Sequence, residues 1–126
     1  MPEPELSAAT AQRAADTMFA LSTPSRLQIL ACLRAGPRTV SEIVEAVAME
    51  QSAVSHQLRV LRDHALLKVR RVGRTRLYSL RDEHVAELLD GALAHVRALE
   101  GSPVARRSRT QRERALPDAD DESLAS

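Results

Sequence analysis

Residues 51–62 read Gln51-Ser52-Ala53-Val54-Ser55-His56-Gln57-Leu58-Arg59-Val60-Leu61-Arg62. Val54, Leu58, Leu61 and then Ala65 recur at steps of four, three and four, the spacing of one buried stripe on a helix. The other surface carries Ser52, Ser55, His56, Arg59 and Arg62, so it is polar, cationic and open to a partner. Past Leu66 the period drops to two. Leu67-Lys68-Val69-Arg70 alternates, Val72-Gly73-Arg74-Thr75 supplies a turn, and Arg76-Leu77-Tyr78-Ser79-Leu80 resumes an extended pattern. This predicts a hairpin with arginines at its tip and along one face.

Upstream, residues 40–47 suit a short helix. Thr39 is its cap and Glu42, three residues on, a capping-box partner. Ala48-Met49-Glu50 then makes the turn into the helix that begins near Gln51. An earlier helix runs from Pro24 to about Ala35, with Thr23 as cap, Pro24 at a favoured first position, and Gly36-Pro37 as the stop. Before it, a helix beginning near Ser7 places Ala11, Ala14, Ala15, Met18 and Phe19 on spacings of three and four. A last helix spans Asp82 to Glu100, with Val85, Leu88, Leu89, Ala92, Val96 and Leu99 as an apolar seam. Two short helices, a tight turn and a basic hairpin make a helix-turn-helix with a wing. The predicted fold is therefore mainly α with a small β-hairpin wing, in the order α-α-α-α-β-β-α, over residues 7–100. Residues 1–6 read as a flexible arm and residues 101–126 as a disordered charged tail.

The chain has 126 residues, and its aromatic share is only 2%, so its core must be aliphatic and thin. A core of that size is compatible with burial of a helix face between two subunits. Net charge is only +1, but from His56 to Arg76 seven cations face the single carboxylate Asp63, a balance of +6 in 21 residues. A basic strip on a near-neutral chain is the footprint of a surface that meets phosphates. Short polar side chains at the start of a helix let its backbone approach base edges in a major groove. Ser52, Ser55, His56, Gln57, Arg59 and Arg62 are the candidate DNA contacts on that helix. Arg71, Arg74 and Arg76 are the candidates on the hairpin, for flanking phosphates or a minor groove. The partner is double-stranded DNA and not RNA, since aromatic platforms for stacking unpaired bases are missing. The lone Cys32, set in an apolar stretch, excludes an internal disulfide and fits a reducing cytoplasm. No apolar run is long enough to span a membrane, and no leader pattern opens the chain. No nucleophile–base pair, phosphate-cradling glycine loop or carboxylate dyad points to an enzyme.

The stretch Gln51 to Arg62 resembles the recognition helix of the ArsR/SmtB bacterial repressors. The similarity extends through Gly73-Arg74 and Tyr78-Ser79-Leu80 to Asp82-Glu83-His84, covering about residues 10 to 100. Helix, wing and following helix all fit in order. The resemblance implies a homodimer with its first and last helices at the interface, bound to an inverted-repeat operator. Ala48 departs from the pattern, standing where a glycine often makes the turn.

Four histidines are present. His56 reads as a base or phosphate contact, and His64, late in the same helix, as a surface residue. His84 and His95 lie eleven residues apart, which on a helix returns to within ~20° of one face but separates them by ~16 Å. Two antiparallel copies across a twofold axis bring His84 of one chain to His95 of the other, giving two equivalent sites. Asp82 can turn its carboxylate towards His84. Nitrogen and oxygen donors suit a divalent transition metal ion, namely zinc, cobalt or nickel. The arrangement resembles the interfacial site of the family's zinc, cobalt and nickel sensors, an Asp-x-His pair followed by a histidine eleven residues later. Those sensors usually add a His or Glu three positions further on, where this chain has Ala98. A fourth donor would be Glu100, water or an N-terminal group. The family's other metal site needs a cysteine at the start of the third helix; Thr39 stands there, which excludes a thiolate site for arsenic, cadmium or lead.

These readings predict a metal-responsive repressor acting by operator occupancy. The alternatives are a winged-helix regulator with another signal or none, and a metal-storage or delivery protein. The last would have no use for the basic wing.

Overall fold

The computed structural model describes residues 5–100, so the expected tail and all but the end of the expected arm lie outside the described residues. The chain divides into two units, Met1–Ala86 and Glu87–Ser126. The elements run α1 (Ala8–Ala20), α2 (Pro24–Arg34), α3 (Val40–Val47), α4 (Gln51–Asp63), β1 (Leu67–Val72), β2 (Thr75–Leu80) and α5 (Glu83–Leu99). This is the predicted order, a winged helix-turn-helix of mainly helical content.

Local chemistry sets the helix starts. Ser7 accepts the amide of Thr10, Thr23 that of Arg26, and Thr39 that of Glu42, so each hydroxyl satisfies an amide the helix itself leaves unpaired. At α3 the box closes, because the Glu42 carboxylate accepts the Thr39 amide at 2.9 Å. That hydrogen bond and the Thr39 hydroxyl hold the Glu42 carboxyl below the usual range. Asp82 caps α5 by accepting the Val85 amide at 3.3 Å.

Turns between elements use left-handed backbone. Ala48, between α3 and α4, has φ 54° and ψ 46°, the conformation expected of the absent glycine. Ala65 ends α4 at φ 59°. Around it Leu66 donates to the Leu61 carbonyl and Ala65 to that of Arg62, the Schellman pattern. In the hairpin only Gly73 takes positive φ, 63°, and Arg74 does not, the signature of a type II′ turn.

The core of the first unit gathers Ile29, Leu30 and Leu33 from α2, Ile43 from α3, and Val54, Leu58 and Leu61 from α4. Leu66, Leu67 and Tyr78 extend it to the wing, and Val85 and Ala86 add the start of α5. One pairing joins distant segments: Arg38 and Tyr78 exchange backbone hydrogen bonds of 2.9 and 2.8 Å. That bridge fastens the α2–α3 connection to the wing.

The apolar face of α1 behaves differently from an ordinary core stripe. Only Ala20 of this helix is buried, while Met18 is 57% and Phe19 69% exposed. On α5, Leu89 is buried whereas Val96 is 58% exposed. Among the described residues, no helix is long and apolar enough to cross a membrane.

Candidate functional site

The buried stripe Val54, Leu58 and Leu61 pins α4 to the core, and its opposite side leaves Ser52, Ser55, His56, Arg59 and Arg62 exposed. His64, at the C-cap of α4, is half-buried, and its Nδ1 lies 2.9 Å from the Val60 carbonyl. Gln57 stands apart from the other candidates. It is half-buried, and its Oε1 accepts a hydrogen bond of 3.0 Å from Arg26 Nη1.

The strand register places the wing arginines. Leu67 pairs with Leu80, Val69 with Tyr78 and Arg71 with Arg76, and residues at alternate positions share a face. Arg71 and Arg76 thus continue outward the face whose inner residues join the core. Like charges directly opposite each other repel, and an anion laid against them relieves that repulsion. Arg74 stands exposed at the hairpin tip. Between α4 and the wing lies an open cleft of about 550 Å³, lined by Ser55, Arg59, Arg62, Asp63, Arg76 and Tyr78 among others. Three arginines from two elements, Arg59 and Arg62 of α4 and Arg76 of β2, thus line one concavity with a single carboxylate, Asp63, which leaves it cationic.

Sequence reasoning passed over Arg26. It is 8% exposed, and its Nε and Nη2 donate to the carbonyls of Ala20 and Phe19 while Nη1 holds Gln57. A signal was present: Arg26, Ile29, Leu30 and Leu33 fall at i, i+3, i+4 and i+7, and all four are buried.

At the start of α5, His84 Nδ1 lies 3.5 Å from Asp82 Oδ1. Their side chains are 91% and 47% exposed, so both donors are accessible. Among the described residues, no group of three His, Cys, Asp or Glu side chains comes together within one chain. His95 lies further along α5, and Glu100 just past its end, both exposed. Among the described residues, one copy therefore brings together an imidazole and a carboxylate at this point. Thr39 is engaged in its capping box and offers no soft donor.

A helix-turn-helix followed by an arginine-lined β-hairpin defines a winged-helix transcription regulator. Residues 23–69 match the family model described as "Bacterial regulatory protein, arsR family". The chain is 54% identical over 94 residues to the HTH-type transcriptional regulator NmtR of Mycobacterium tuberculosis, covering 75% of this chain and 78% of that protein. It is 43% identical over 86 residues to a transcriptional repressor SmtB homolog of Synechocystis, covering 68% of this chain and 65% of that one. The solution structure of a homodimeric winged helix-turn-helix DNA-binding domain, Mb0332 from Mycobacterium bovis, superposes with a TM-score of 0.66 at 33% identity, covering 81% of this chain and 93% of that one. The chain belongs to the arsR family of bacterial regulatory proteins, and is a regulator of transcription and not an enzyme.

Proposed function

We propose that the protein is a homodimeric, operator-binding repressor that responds to a divalent transition metal ion, namely nickel, zinc or cobalt. Ser52, Ser55, His56, Arg59 and Arg62 of α4 meet the major groove, Gln57 sits behind them bonded to Arg26, and Arg71, Arg74 and Arg76 of the wing meet the flanking backbone. The arginine-lined cleft between α4 and the wing supports this reading. Asp82 and His84 of one copy, with His95 and Glu100 of the other, would hold the ion. Its chemistry there is to join two copies of α5 through nitrogen and oxygen donors.

The observation that carries the metal reading is the Asp82–His84 pair, 3.5 Å apart and exposed, with no third ligand beside it among the described residues. A donor set that is half complete in one copy is completed by a second. The apo dimer holds its two α4 helices about one DNA turn apart, ~34 Å. Metal favours another spacing, and operator affinity falls by the coupling energy, commonly 1 to 3 kcal/mol, about 5- to 150-fold. Asp82 also caps α5, so a second reading has the carboxylate serving the helix alone and the regulator answering another signal.

A gel shift on the chain's own upstream DNA separates the two. Nickel, zinc or cobalt releases the wild type, whereas His84→Ala and His95→Ala stay bound at the same metal concentration. If every metal leaves the wild-type shift unchanged, the sensor reading fails and the capping reading stands.

A further inference from the structure

We infer that Arg26 is a positioning residue for DNA recognition, setting α4 against the last turn of α1 by way of Gln57. The inference rests on the proposed role of α4 as the DNA-reading helix and of α1 as part of the subunit interface.

A guanidinium is costly to bury without partners. Arg26 is 8% exposed, and its guanidinium donates to three uncharged oxygens: the carbonyls of Phe19 and Ala20 and the amide oxygen of Gln57. The two carbonyls close α1, the end where unpaired carbonyls gather partial negative charge, so the cation is at home there. Gln57 is the third partner and lies 31 residues away on another helix. Because a guanidinium has donors only, the amide oxygen of Gln57 must be the atom that faces it. The planar fork thus spans two elements with fixed directions, which a lysine ammonium on its flexible stem does not reproduce.

Phe19 gives the link its meaning. Its carbonyl is held by Arg26 while its ring is 69% exposed on the face of α1 that a second copy would cover. A shift of α1 at the interface therefore reaches the flank of α4 through one side chain. Sequence-independent binding through exposed arginines does not need that alignment; reading base edges in two half-sites at once does.

The test uses the full-length protein and a duplex enriched by the wild type from a random pool, with a scrambled duplex as reference. Gln57→Leu removes one of the three hydrogen bonds and leaves Arg26 its two carbonyls. Arg26→Lys keeps the charge and loses the fork. Thermal melts confirm folding before DNA is added. Expected for Gln57→Leu is an affinity for the enriched duplex about tenfold lower, affinity for the scrambled duplex and its salt slope unchanged, and a flattened preference among half-site spacings that differ by one base pair. Gln57→Glu, which restores an acceptor to Arg26, returns the ratio of enriched to scrambled binding to near wild type. A folded Gln57→Leu with the wild-type ratio and spacing preference overturns the inference, whether or not Arg26→Lys folds. If the wild type enriches no duplex at all, the DNA reading of α4 falls and takes this inference with it.

Discussion

Ala48 and Ala65 carry left-handed backbone, at φ 54° and 59°, without glycine's freedom to do so. An L-residue there costs roughly 1 to 2 kcal/mol, while a glycine adds back about 0.5 to 1 in unfolded-state entropy. Ala48→Gly should therefore stabilise the protein by about 0.5 kcal/mol in urea melts. Ala31→Gly, at an exposed interior position of α2, should destabilise it by about 1 kcal/mol. A loss at Ala48 as large as that at Ala31 would show that its backbone is not left-handed. Glu42 gives a pH test. Its folded pKa is depressed, so the stability it contributes is present above the ordinary glutamate value of about 4.3 and is lost as pH falls through the lower folded value. Glu42→Gln keeps an acceptor for the Thr39 amide but cannot titrate. Its stability should fall less steeply than that of the wild type below pH about 4.3. Parallel acid limbs would remove the capping box as the cause.

At the level of elements, the wing has the plainest physical test. Each phosphate neutralised on a duplex contributes about 0.9 to the slope of log affinity against log salt. Arg74→Ala combined with Arg76→Ala should flatten that slope by about two units, and an unchanged slope would remove the wing from the interface. The elements themselves were largely legible in the sequence, because their signals are local. Ser7, Thr23 and Thr39 cap where their hydroxyls lead apolar periodicity, and the change from period four to period two marks where α4 gives way to β1. The exposed set on α4 followed from the same stripe. Features that depend on distant partners were not legible. The Arg38–Tyr78 bridge joins residues forty apart, and no local pattern announces it. Arg26 was hidden differently: it lies on the buried stripe of α2, yet a charged side chain is assigned to the surface unless its partners are visible, and Gln57 is visible only in three dimensions. For the same reason Gln57 read simply as one more candidate DNA contact of α4.

The whole molecule is governed by apolar surface that one chain leaves uncovered. Met18 and Phe19 on α1 and Val96 on α5 are each more than half exposed, although their spacing is that of buried residues. Large aliphatic and aromatic groups so placed favour association, since covering a Phe or Val side chain is worth about 1.5 to 3 kcal/mol. A carboxylate at Phe19 would have to be desolvated in that interface but stays hydrated on a lone chain, so it selects against the dimer and not against the fold. Phe19→Glu should therefore retain its helical circular dichroism and weaken self-association by about 10- to 100-fold, read by sedimentation equilibrium across micromolar concentrations. Operator binding should weaken with it, because a single copy engages one half-site and loses the second. Binding to a duplex that carries only one half-site should change little. Should Phe19→Glu sediment as the wild type does, α1 is not part of the subunit contact, and the exposed face it carries needs another partner.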